Sequence, residues 1–245
     1  MRYEQFALLY DELMNDIPYE KWIKYIETKK QEASIVGNTL LDVGCGTGNI
    51  ALPLVKKGYN VTGVDLSEEM LTIAQHKLAE FSVPLFMQDM RELELPEQYD
   101  MITIFCDSLN YVTDEEGVKQ TFKRIHHYLK DEGLFLFDVH SLYKIHNVFE
   151  NETFTINEEQ IALIWNCFPG EMKDSIEHEL TFFVKEPDEE SFVRFEEFHV
   201  QRAYEVARLK SWLEEAGFSI MSITDLEMNP VTEQTERIFF AARKK

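Results

Sequence analysis

Apolar residues in the segment 39–139 follow two spacings, one typical of buried strands and the other of amphipathic helices. The short apolar runs predict five strands: TLLDV (39–43), NVTGVDL (60–66), VPLFMQ (83–88), YDMITIF (99–105) and LFLFDVH (134–140). The helical spacing predicts three helices: 47–57, a second that Ser67 caps, and 114–129. Because strands and helices alternate, the pattern indicates a parallel sheet with crossover helices, which is an α/β fold.

The pattern changes after residue 140, where four apolar runs follow one another without a helix between them. ETFTI, IALIW, IEHELTFFV and FVRFEEFHV predict antiparallel strands. Their alternation of apolar and polar positions slips at Glu196-Glu197, which predicts a β-bulge there. One more helix and two more strands complete the chain. The predicted units are an N-terminal helical lid (1–36), a core (37–139 and 203–245) and an antiparallel β insert (140–202).

The chain carries 24 basic and 45 acidic side chains, a net charge of −21. Such a surface repels phosphate backbones, so direct nucleic-acid binding is not expected. Residues 150–197 hold 14 acidic and three basic side chains, either as a solvated sheet face or as a field that favours a cationic or amine-bearing ligand. No apolar run reaches bilayer length, and three widely spaced cysteines fit neither a disulfide framework nor a zinc site. We therefore expect a reduced, cytoplasmic protein without a metal or a membrane partner.

The segment LLDVGCGTGN (40–49) follows the first strand with three glycines in five positions. A glycine turn between a strand and a helix presents backbone N–H groups to a ligand. A phosphate-binding P-loop needs Lys-Ser or Lys-Thr after its glycines, where this chain has Asn49-Ile50. A dinucleotide fingerprint needs glycine at position 49, and Asp42 would repel the pyrophosphate. The turn therefore favours a ligand with a cationic head.

Carboxylates stand at the ends of three successive predicted strands, at Asp42, Asp65 and Asp89. S-adenosylmethionine carries an ammonium and a sulfonium group, and Asp42 would attract both. Asp65 lies 17 residues past Gly48, where a carboxylate can bind both ribose hydroxyls, and Asp89 can accept from the adenine amino group. Any one of them could merely cap a turn, but the joint spacing favours a shared ligand site.

The segments LLDVGCGTGN, VTGVDLSEEML, MQDMREL and YDMITIFCDSLNYV resemble, in this order, the ligand-binding motifs of class I S-adenosylmethionine-dependent methyltransferases. The opening FALLYDELMNDIPYEKW and the β insert resemble the glycine and amino-sugar N-methyltransferases, and still more the YqeM-like bacterial methyltransferases. The resemblance implies a Rossmann-like seven-stranded sheet of order 3-2-1-4-5-7-6 with an antiparallel seventh strand. It also implies an N-terminal helical lid and S-adenosyl-L-methionine as cofactor.

The same resemblance implies which residues contact the cofactor. The first motif would hold the methionine moiety, the second the ribose and the third the adenine, while the fourth would form the floor beneath the reacting methyl group. Two lid tyrosines would cover the cofactor, although both could instead pack on a helix face. The residues are Asp42, Gly44, Cys45, Gly46, Gly48 and Asn49; Asp65, Leu66 and Met70; Asp89 and Met90; Phe105, Cys106 and Asp107; Tyr10 and Tyr19.

The methyl acceptor is expected above the carboxyl ends of the strands, beside the insert. Methyl transfer from a sulfonium to a neutral amine creates no anion, so alignment and exclusion of water can supply most of the catalysis. His140 and Tyr111 are the candidate catalytic residues, although His140 could instead cap a turn with Ser141. Arg202 could bind an anionic group of the acceptor or pair with neighbouring glutamates. The candidate substrate-binding residues are Asn110, Tyr143, His199 and Arg202.

These residues favour a methyltransferase that acts on a small molecule, at nitrogen. A methyltransferase of RNA or protein is an alternative, and the net charge of −21 argues against RNA. A non-catalytic module that senses the cofactor is a third reading, and Asn49 with Asp42 argues against an NAD-dependent oxidoreductase. The sequence leaves the acceptor and the oligomeric state open.

Cys45 and Cys106 lie in the first and fourth motifs, so we predict that alkylating these thiols abolishes cofactor binding and that bound cofactor protects them. Peptide mass spectrometry after labelling, with and without S-adenosylhomocysteine, measures both rates. Equal labelling rates of both thiols in the two conditions would contradict the prediction. If both cysteines only pack in the core, ligand will not change their labelling rates.

Overall fold

The computed structural model describes residues 18–186 and 191–245, which contain one large and one small sheet. The strands are β1 (Thr39–Val43), β2 (Asn60–Asp65), β3 (Leu85–Met87), β4 (Tyr99–Ile104), β5 (Leu129–His140), β6 (Thr153–Asn157), β7 (Ile161–Pro169), β8 (Ser175–Lys185), β9 (Phe192–Arg202), β10 (Phe218–Thr224) and β11 (Arg237–Lys244). The large sheet has the order β10-β11-β5-β4-β1-β2-β3, and β11 runs antiparallel to both neighbours. This order confirms the predicted seven-stranded Rossmann-like sheet, since β10 and β11 are its sixth and seventh strands.

Helices cover both faces of the large sheet. They are α1 (Tyr19–Glu32), α2 (Ala51–Lys56), α3 (Glu68–Lys77), α4 (Glu115–Tyr128) and α5 (Val206–Glu215). Ser67 caps α3 as predicted, because its Oγ accepts the Met70 N–H at 3.1 Å. Helix α2 begins four residues after its predicted start at residue 47, because the glycine turn continues into that segment. Within the described ranges no helix combines the length and the apolar character that a membrane span requires.

Strand β11 lies between two apolar layers. Phe240 stacks on Phe137 on one face, with ring centroids 4.6 Å apart. Phe239 faces the other side, where it packs against Tyr25 of α1 at 5.0 Å and against Phe105 at 6.1 Å. Because successive side chains of a strand alternate between faces, a strand covered on both sides reads as a continuous apolar run. The aromatic packing connects α1 to the carboxyl end of β4, where the candidate site lies.

The four-stranded insert forms an antiparallel sheet of order β6-β7-β8-β9. The predicted bulge at Glu196-Glu197 is wrong, because β8 and β9 pair in an unbroken register over the full length of β9. Glu196 therefore lies on the outer face of this sheet and Glu197 on its inner face. The inner face packs over α3, where Met70 and Ile73 join the apolar cluster of the insert. The insert therefore stands beside the carboxyl ends of β1, β2 and β3.

Candidate active site

The turn after β1 depends on its glycines. Gly44, Gly46 and Gly48 have φ angles of +72°, +53° and +83°, in the left-handed region that side chains disfavour. A Cβ on Gly44 would lie 2.6 Å from Oγ of Ser108, so this glycine lets the loop after β4 approach the turn. A Cβ on Gly46 would meet no atom within 4 Å, so Gly46 borders open space. The turn thus presents bare backbone to the cleft at the carboxyl edge of the sheet.

Asp42 and Asp65 lie at the same edge of the sheet, near the ends of β1 and β2, and Asp89 comes two residues after β3. Asp42 of β1 pairs in register with Gly63, and Asp65 at the end of β2 pairs with Met87 at the end of β3. The Asp65 carboxylate accepts the Gly46 N–H at 2.7 Å and the Ser67 N–H at 3.0 Å. It therefore joins the glycine turn to the start of α3.

Asp42 is buried with half of its carboxylate unpaired. Its Oδ1 accepts the Thr103 hydroxyl at 2.9 Å, whereas its buried Oδ2 has no hydrogen-bond partner in the described residues. Burial, and to a smaller extent the charge of Asp65, raises the pKa of Asp42 to about 7, against the effect of Thr103. A cation placed at Oδ2 would both satisfy this atom and favour the ionised carboxylate. The site therefore fits a ligand with an ammonium group.

The edge beside β3 combines an ion pair with exposed apolar side chains. The Asp89 carboxylate accepts the Arg91 guanidinium at 2.6 Å, and this pairing holds the pKa of Asp89 below its ordinary value. Leu66, directly after β2, is 68% exposed, and Met87, the last residue of β3, is 60% exposed. Met90 packs against the core beneath them. An exposed apolar rim beside a carboxylate is suited to an aromatic base such as adenine.

The N-terminal helix reaches the glycine turn. The Asn49 side chain donates to the Tyr19 hydroxyl at 3.3 Å and accepts from Nζ of Lys77 at 2.6 Å. Tyr19 at the start of α1 thus lies beside the predicted cofactor site. The other predicted lid residue, Tyr10, lies outside the described residues.

The loop that ends β4 has an uncommon backbone. Cys106 and Asp107 both have positive φ, at 54° and 55°, which is costly for residues other than glycine. In this conformation their successive N–H groups converge on the buried Asp138 carboxylate, at 2.7 and 3.2 Å. Phe105, one residue earlier, turns its ring away into the aromatic cluster with Phe239. The floor of the cleft is therefore the backbone of residues 106 and 107.

Arg237 at the start of β11 stabilises this loop. Its guanidinium donates to Oδ1 of Asp107 at 2.7 Å and to Oδ2 of Asp138. Trp22 of α1 donates its indole N–H to the other Asp138 oxygen at 3.3 Å. His140, next to Arg237 and across from Asp107, helps to hold the pKa of Asp107 well below its ordinary value. The fully buried Asp138 carboxylate and the partly buried Asp107 carboxylate share one cation, which compensates for their burial.

The two candidate residues nearest this loop, His140 and Asn110, are buried. His140 lies with Nε2 3.4 Å from Oδ2 of Asp107, and its Nδ1 has no partner in the described part of the chain. Burial lowers the pKa of His140 even though Asp107 opposes the change. Asn110 accepts the His140 backbone N–H and donates to the Arg202 carbonyl, both at 2.9 Å. Asn110 thus joins the loop to β5 and to the insert.

A second chain of hydrogen bonds, with buried Gln201 and His178 at its centre, runs from the floor into the insert. Gln201 of β9 donates to Oδ2 of Asp107 at 2.6 Å, and its carbonyl oxygen lies 3.2 Å from Nε2 of His178. Trp165 donates its indole N–H to Nδ1 of His178 at 3.0 Å. These partners identify a neutral His178 protonated at Nε2, and burial lowers its pKa to about 4. The insert is therefore attached to the floor of the cleft by specific bonds.

The other acceptor-side candidates have different environments. Tyr111 is 49% exposed, and its ring meets the edge of His199 at 5.8 Å. His199 in turn lies with Nε2 2.9 Å from the Glu197 carboxylate. Arg202 donates to the carbonyls of Lys173 and Thr113, at 3.0 and 2.9 Å, and its guanidinium also lies 3.9 Å from the Glu115 carboxylate. Tyr143 is partly buried at the start of the helical turn 144–149.

The cysteines are unpaired and shielded. The Cys45 thiol packs beside Gly63, where an added Cβ would approach its Sγ to 2.9 Å. Burial raises the pKa of the Cys45 thiol, and burial with the nearby Asp138 charge raises that of Cys106. Because the thiolate is the reactive form, labelling of both will be slow without ligand. The predicted protection by cofactor must be measured against this slow rate.

Five residues of this site are not among the candidates that the sequence predicts: Asp138, Arg237, His178, Gln201 and Glu197. Asp138 and Arg237 carry a visible signal, since each is a charge within a predicted central strand. Glu197 gave a signal too, because it breaks the alternation that we interpreted as a bulge. His178 and Gln201 carry no such signal. Within the described residues no group of three or more His, Cys, Asp and Glu side chains is placed to bind a metal.

Comparisons with known proteins agree with this geometry. A family profile described as "Methyltransferase domain" matches residues 40–133. The chain is 48% identical to a candidate methyltransferase of Geobacillus sp. (strain WCH70), over all of both chains. It is 43% identical to the candidate methyltransferase YqeM of Bacillus subtilis (strain 168), over 100% of this chain and 98% of the relative.

Solved structures give the same result. The crystal structure of an S-adenosylmethionine-dependent methyltransferase from Clostridium acetobutylicum ATCC 824 superposes with a TM-score of 0.90, at 33% identity, over 100% of this chain and 99% of that one. CalS10, an amino pentose methyltransferase from Micromonospora echinaspora, shares the fold with a TM-score of 0.77 at 18% identity, over 97% of each chain.

The ion-pair arrangement predicts a large cost for removing Arg237. Arg237→Met leaves Asp107 and Asp138 buried without a cation, and we expect a loss of about 3–5 kcal/mol in the free energy of unfolding at pH 8. In the native chain the lowered pKa of Asp107 means that its stabilisation is present above about pH 4 and is lost as the pH falls further. Without Arg237 the pKa values of both carboxylates rise, so more of each is protonated and neutral at pH 5, and the loss of stability should be smaller at pH 5 than at pH 8. Urea unfolding at both pH values measures this loss.

Arg243→Met is the matched control, because Arg243 pairs with Glu132 near the opposite end of β11, and the Glu132 side chain is 66% exposed. Such a pair contributes about 0–1 kcal/mol. Equal losses in the two variants, or a loss at Arg237 that does not depend on pH, would contradict the proposed role of the shared cation.

Proposed function

Since the chain belongs to the YqeM-like class I S-adenosylmethionine-dependent methyltransferases, we propose that it methylates a small molecule at a nitrogen atom. The observation that carries this proposal is an acid-lined cleft between the glycine turn and the insert. Tyr111 is half-exposed, yet burial of its hydroxyl, followed by the charges of Asp107, Glu197 and Asp65, raises its pKa. A residue that is surrounded by protein and still open to solvent lines a cleft, and three carboxylates around it favour a cationic ligand.

The residues present fit the cofactor. The unpaired Oδ2 of Asp42 would receive the ammonium of the methionine moiety, and Asp65 would bind the ribose. The exposed Leu66 and Met87 would flank the adenine, next to Asp89. Bound S-adenosylmethionine supplies a methyl group activated by its sulfonium. The carboxylates would hold this ligand by charge and hydrogen bonds, without a metal.

The chain's own contribution to the reaction is alignment. The rigid backbone of Cys106 and Asp107 would fix the floor of the cleft, because Asp138 and Arg237 hold it from below. The insert would exclude water above this floor, since Gln201 fastens it to Asp107. Alignment of two reactants in a dry site is sufficient for large rate effects in methyl transfer to an amine. The Nδ1 atom of His140 is a further proton acceptor beside the floor.

Two of the solved structures that share the fold bear names that support a small nitrogen acceptor. These are CalS10, described as an amino pentose methyltransferase, and KedS8, described as a sugar N-methyltransferase. At 18% and 19% identity they share only the fold, so their substrates serve as an analogy. Three unpaired cysteines are consistent with a cytoplasmic enzyme.

A labelled-methyl screen tests the acceptor class. The protein is incubated with S-adenosylmethionine labelled in its methyl group and with four separate pools: small amines, small alcohols and acids, total RNA, and lysate protein. We expect label in the amine pool, because the cleft is acid-lined and the net charge of −21 disfavours RNA. Label only in RNA or protein would overturn the proposal, and no transfer to any pool would point to a cofactor-sensing module.

The raised pKa of Asp42 predicts proton release on cofactor binding. An ammonium at Oδ2 favours the ionised carboxylate, so affinity for S-adenosylhomocysteine should rise about tenfold per pH unit up to pH 7 and then level off. At pH 6 binding should release about 0.9 proton, which calorimetry in buffers of different ionisation heat measures. Asp42→Asn should weaken binding about 10–100-fold at pH 8 and remove the proton release.

The exposed Glu68→Gln, in the first turn of α3, controls for a general loss of negative charge. The apo form of Asp42→Asn should remain as stable as the native chain, because the variant removes a carboxylate whose burial is unfavourable. If proton release persists in Asp42→Asn, the released proton comes from a group other than Asp42, which would contradict the prediction.

A further inference from the structure

The inner face of the insert sheet carries an acceptor site, and we propose that Glu197 and His199 bind a protonated amine there and that His199 accepts its proton. This inference rests on the proposed function and adds the residues that select the acceptor.

The register of β9 decides which side chains face the cleft. Phe195, Glu197, His199 and Gln201 alternate with outward residues and therefore share the inner face. At one end of this row Phe195 stacks on Phe182 at 4.9 Å, within the apolar cluster that contacts α3. At the other end Gln201 bonds Asp107 on the floor of the cleft. Glu197 and His199 lie between these two anchors, so they must face the space above the cofactor site.

Most of this face is apolar, and its other polar groups are committed. Opposite β9, the inner residues of β8 are Ile176, His178, Leu180 and Phe182. His178 and Gln201 satisfy each other and are both buried. Glu197 and His199 are only partly buried, and in the described part of the chain each is the other's only hydrogen-bond partner. His199 also makes a ring contact with Tyr111. A carboxylate placed on a largely apolar face costs free energy, and a cationic ligand would offset this cost.

The pair has the atoms that an ammonium acceptor requires. Oε2 of Glu197 accepts the Nε2–H of His199 at 2.9 Å, which leaves Nδ1 as the basic atom of the ring. Within residues 18–186 and 191–245 no hydrogen bond occupies that Nδ1 or the second oxygen of Glu197. Glu197 can thus bind an ammonium while the imidazole beside it accepts a proton. Tyr111, edge-on to His199 at 5.8 Å, adds an aromatic wall.

Deprotonation and methylation of the amine require no group beyond those named. The bound ammonium loses one proton to Nδ1 of His199 and becomes a neutral amine. Its nitrogen lone pair forms the new N–C bond while the S–C bond of the sulfonium breaks, and the products are a thioether and a methylated ammonium. The field of Asp65, Asp107 and Glu197 favours this cationic product. The acceptor class is therefore a small primary or secondary amine with an apolar or ring-shaped body.

Matched acceptors test this assignment. Two sets compare an amine, an alcohol and an acid on the same kind of body: 2-amino-2-deoxyglucose, glucose and glucuronic acid; and benzylamine, benzyl alcohol and benzoate. Binding of each to the S-adenosylhomocysteine complex is measured by calorimetry, and transfer by labelled methyl. We expect the amine of at least one set to bind and to react with at least tenfold preference over its alcohol and its acid, because the site gains a charge-assisted hydrogen bond only with the amine.

Two variants distinguish amine binding by Glu197 from proton acceptance by His199. Glu197→Gln should raise KM for the amine about tenfold or more and erase the preference over the alcohol, since it removes the charge and keeps the shape. His199→Gln should lower kcat about 100-fold with a smaller change in KM, because it removes the proton acceptor. Glu196→Gln is the control, as Glu196 lies on the outer face of the same strand beside Arg194. All three should bind S-adenosylhomocysteine with native affinity.

Results that would overturn this inference can be distinguished from results that would overturn the proposed function. Failure of every amine to bind the wild-type complex, or a preference for an alcohol or an acid, would exclude the acceptor site. So would kinetics of Glu197→Gln that match those of Glu196→Gln. Failure to bind S-adenosylhomocysteine, or the absence of transfer to any acceptor, would instead remove the proposed function itself.

Discussion

The buried Asp138 carboxylate is the interaction on which the site depends. It accepts the two successive N–H groups of Cys106 and Asp107, the indole of Trp22 and the guanidinium of Arg237. These donors come from the loop after β4, from α1 and from β11. A fully buried carboxylate is tolerated only with such complete pairing, so its position fixes all three elements relative to one another. The costly left-handed backbone at residues 106 and 107 is maintained in this way.

The same network links the core to the insert. Asp107 is held by Arg237 on one side, and on the other it accepts from Gln201, which continues to His178 and Trp165. Gln201 and His178 are buried and every member is paired, so the chain of bonds is specific and resists rearrangement. The surface that covers the cofactor cleft is thereby positioned against the floor at which methyl transfer is proposed. Floor and cover are parts of one hydrogen-bonded unit.

Charge has opposite consequences in different parts of this cleft. At Asp107 a shared cation keeps the carboxylate ionised and its pKa low. At Asp42 burial without a cation raises the pKa to about 7, which leaves a group that gains a full charge only when a positive ligand arrives. The first arrangement is structural and the second is suited to binding. Glu197 and His199 form a third arrangement, a partly exposed pair that fits a ligand passing between water and the site.

The sequence by itself determined the order of the elements and the cofactor edge. Strand and helix periods are local properties, and the carboxyl ends of parallel strands must lie together, so the sequence alone predicts that Asp42, Asp65 and Asp89 share one edge. The tertiary structure decided the partners of buried charges and the faces of the insert. Asp138 and Arg237 are 99 residues apart, and their contact depends on β11 entering beside β5. The direction of Glu197 depends on an unbroken register that the local pattern did not reveal, because a polar residue on an inner face produces the same irregularity as a bulge.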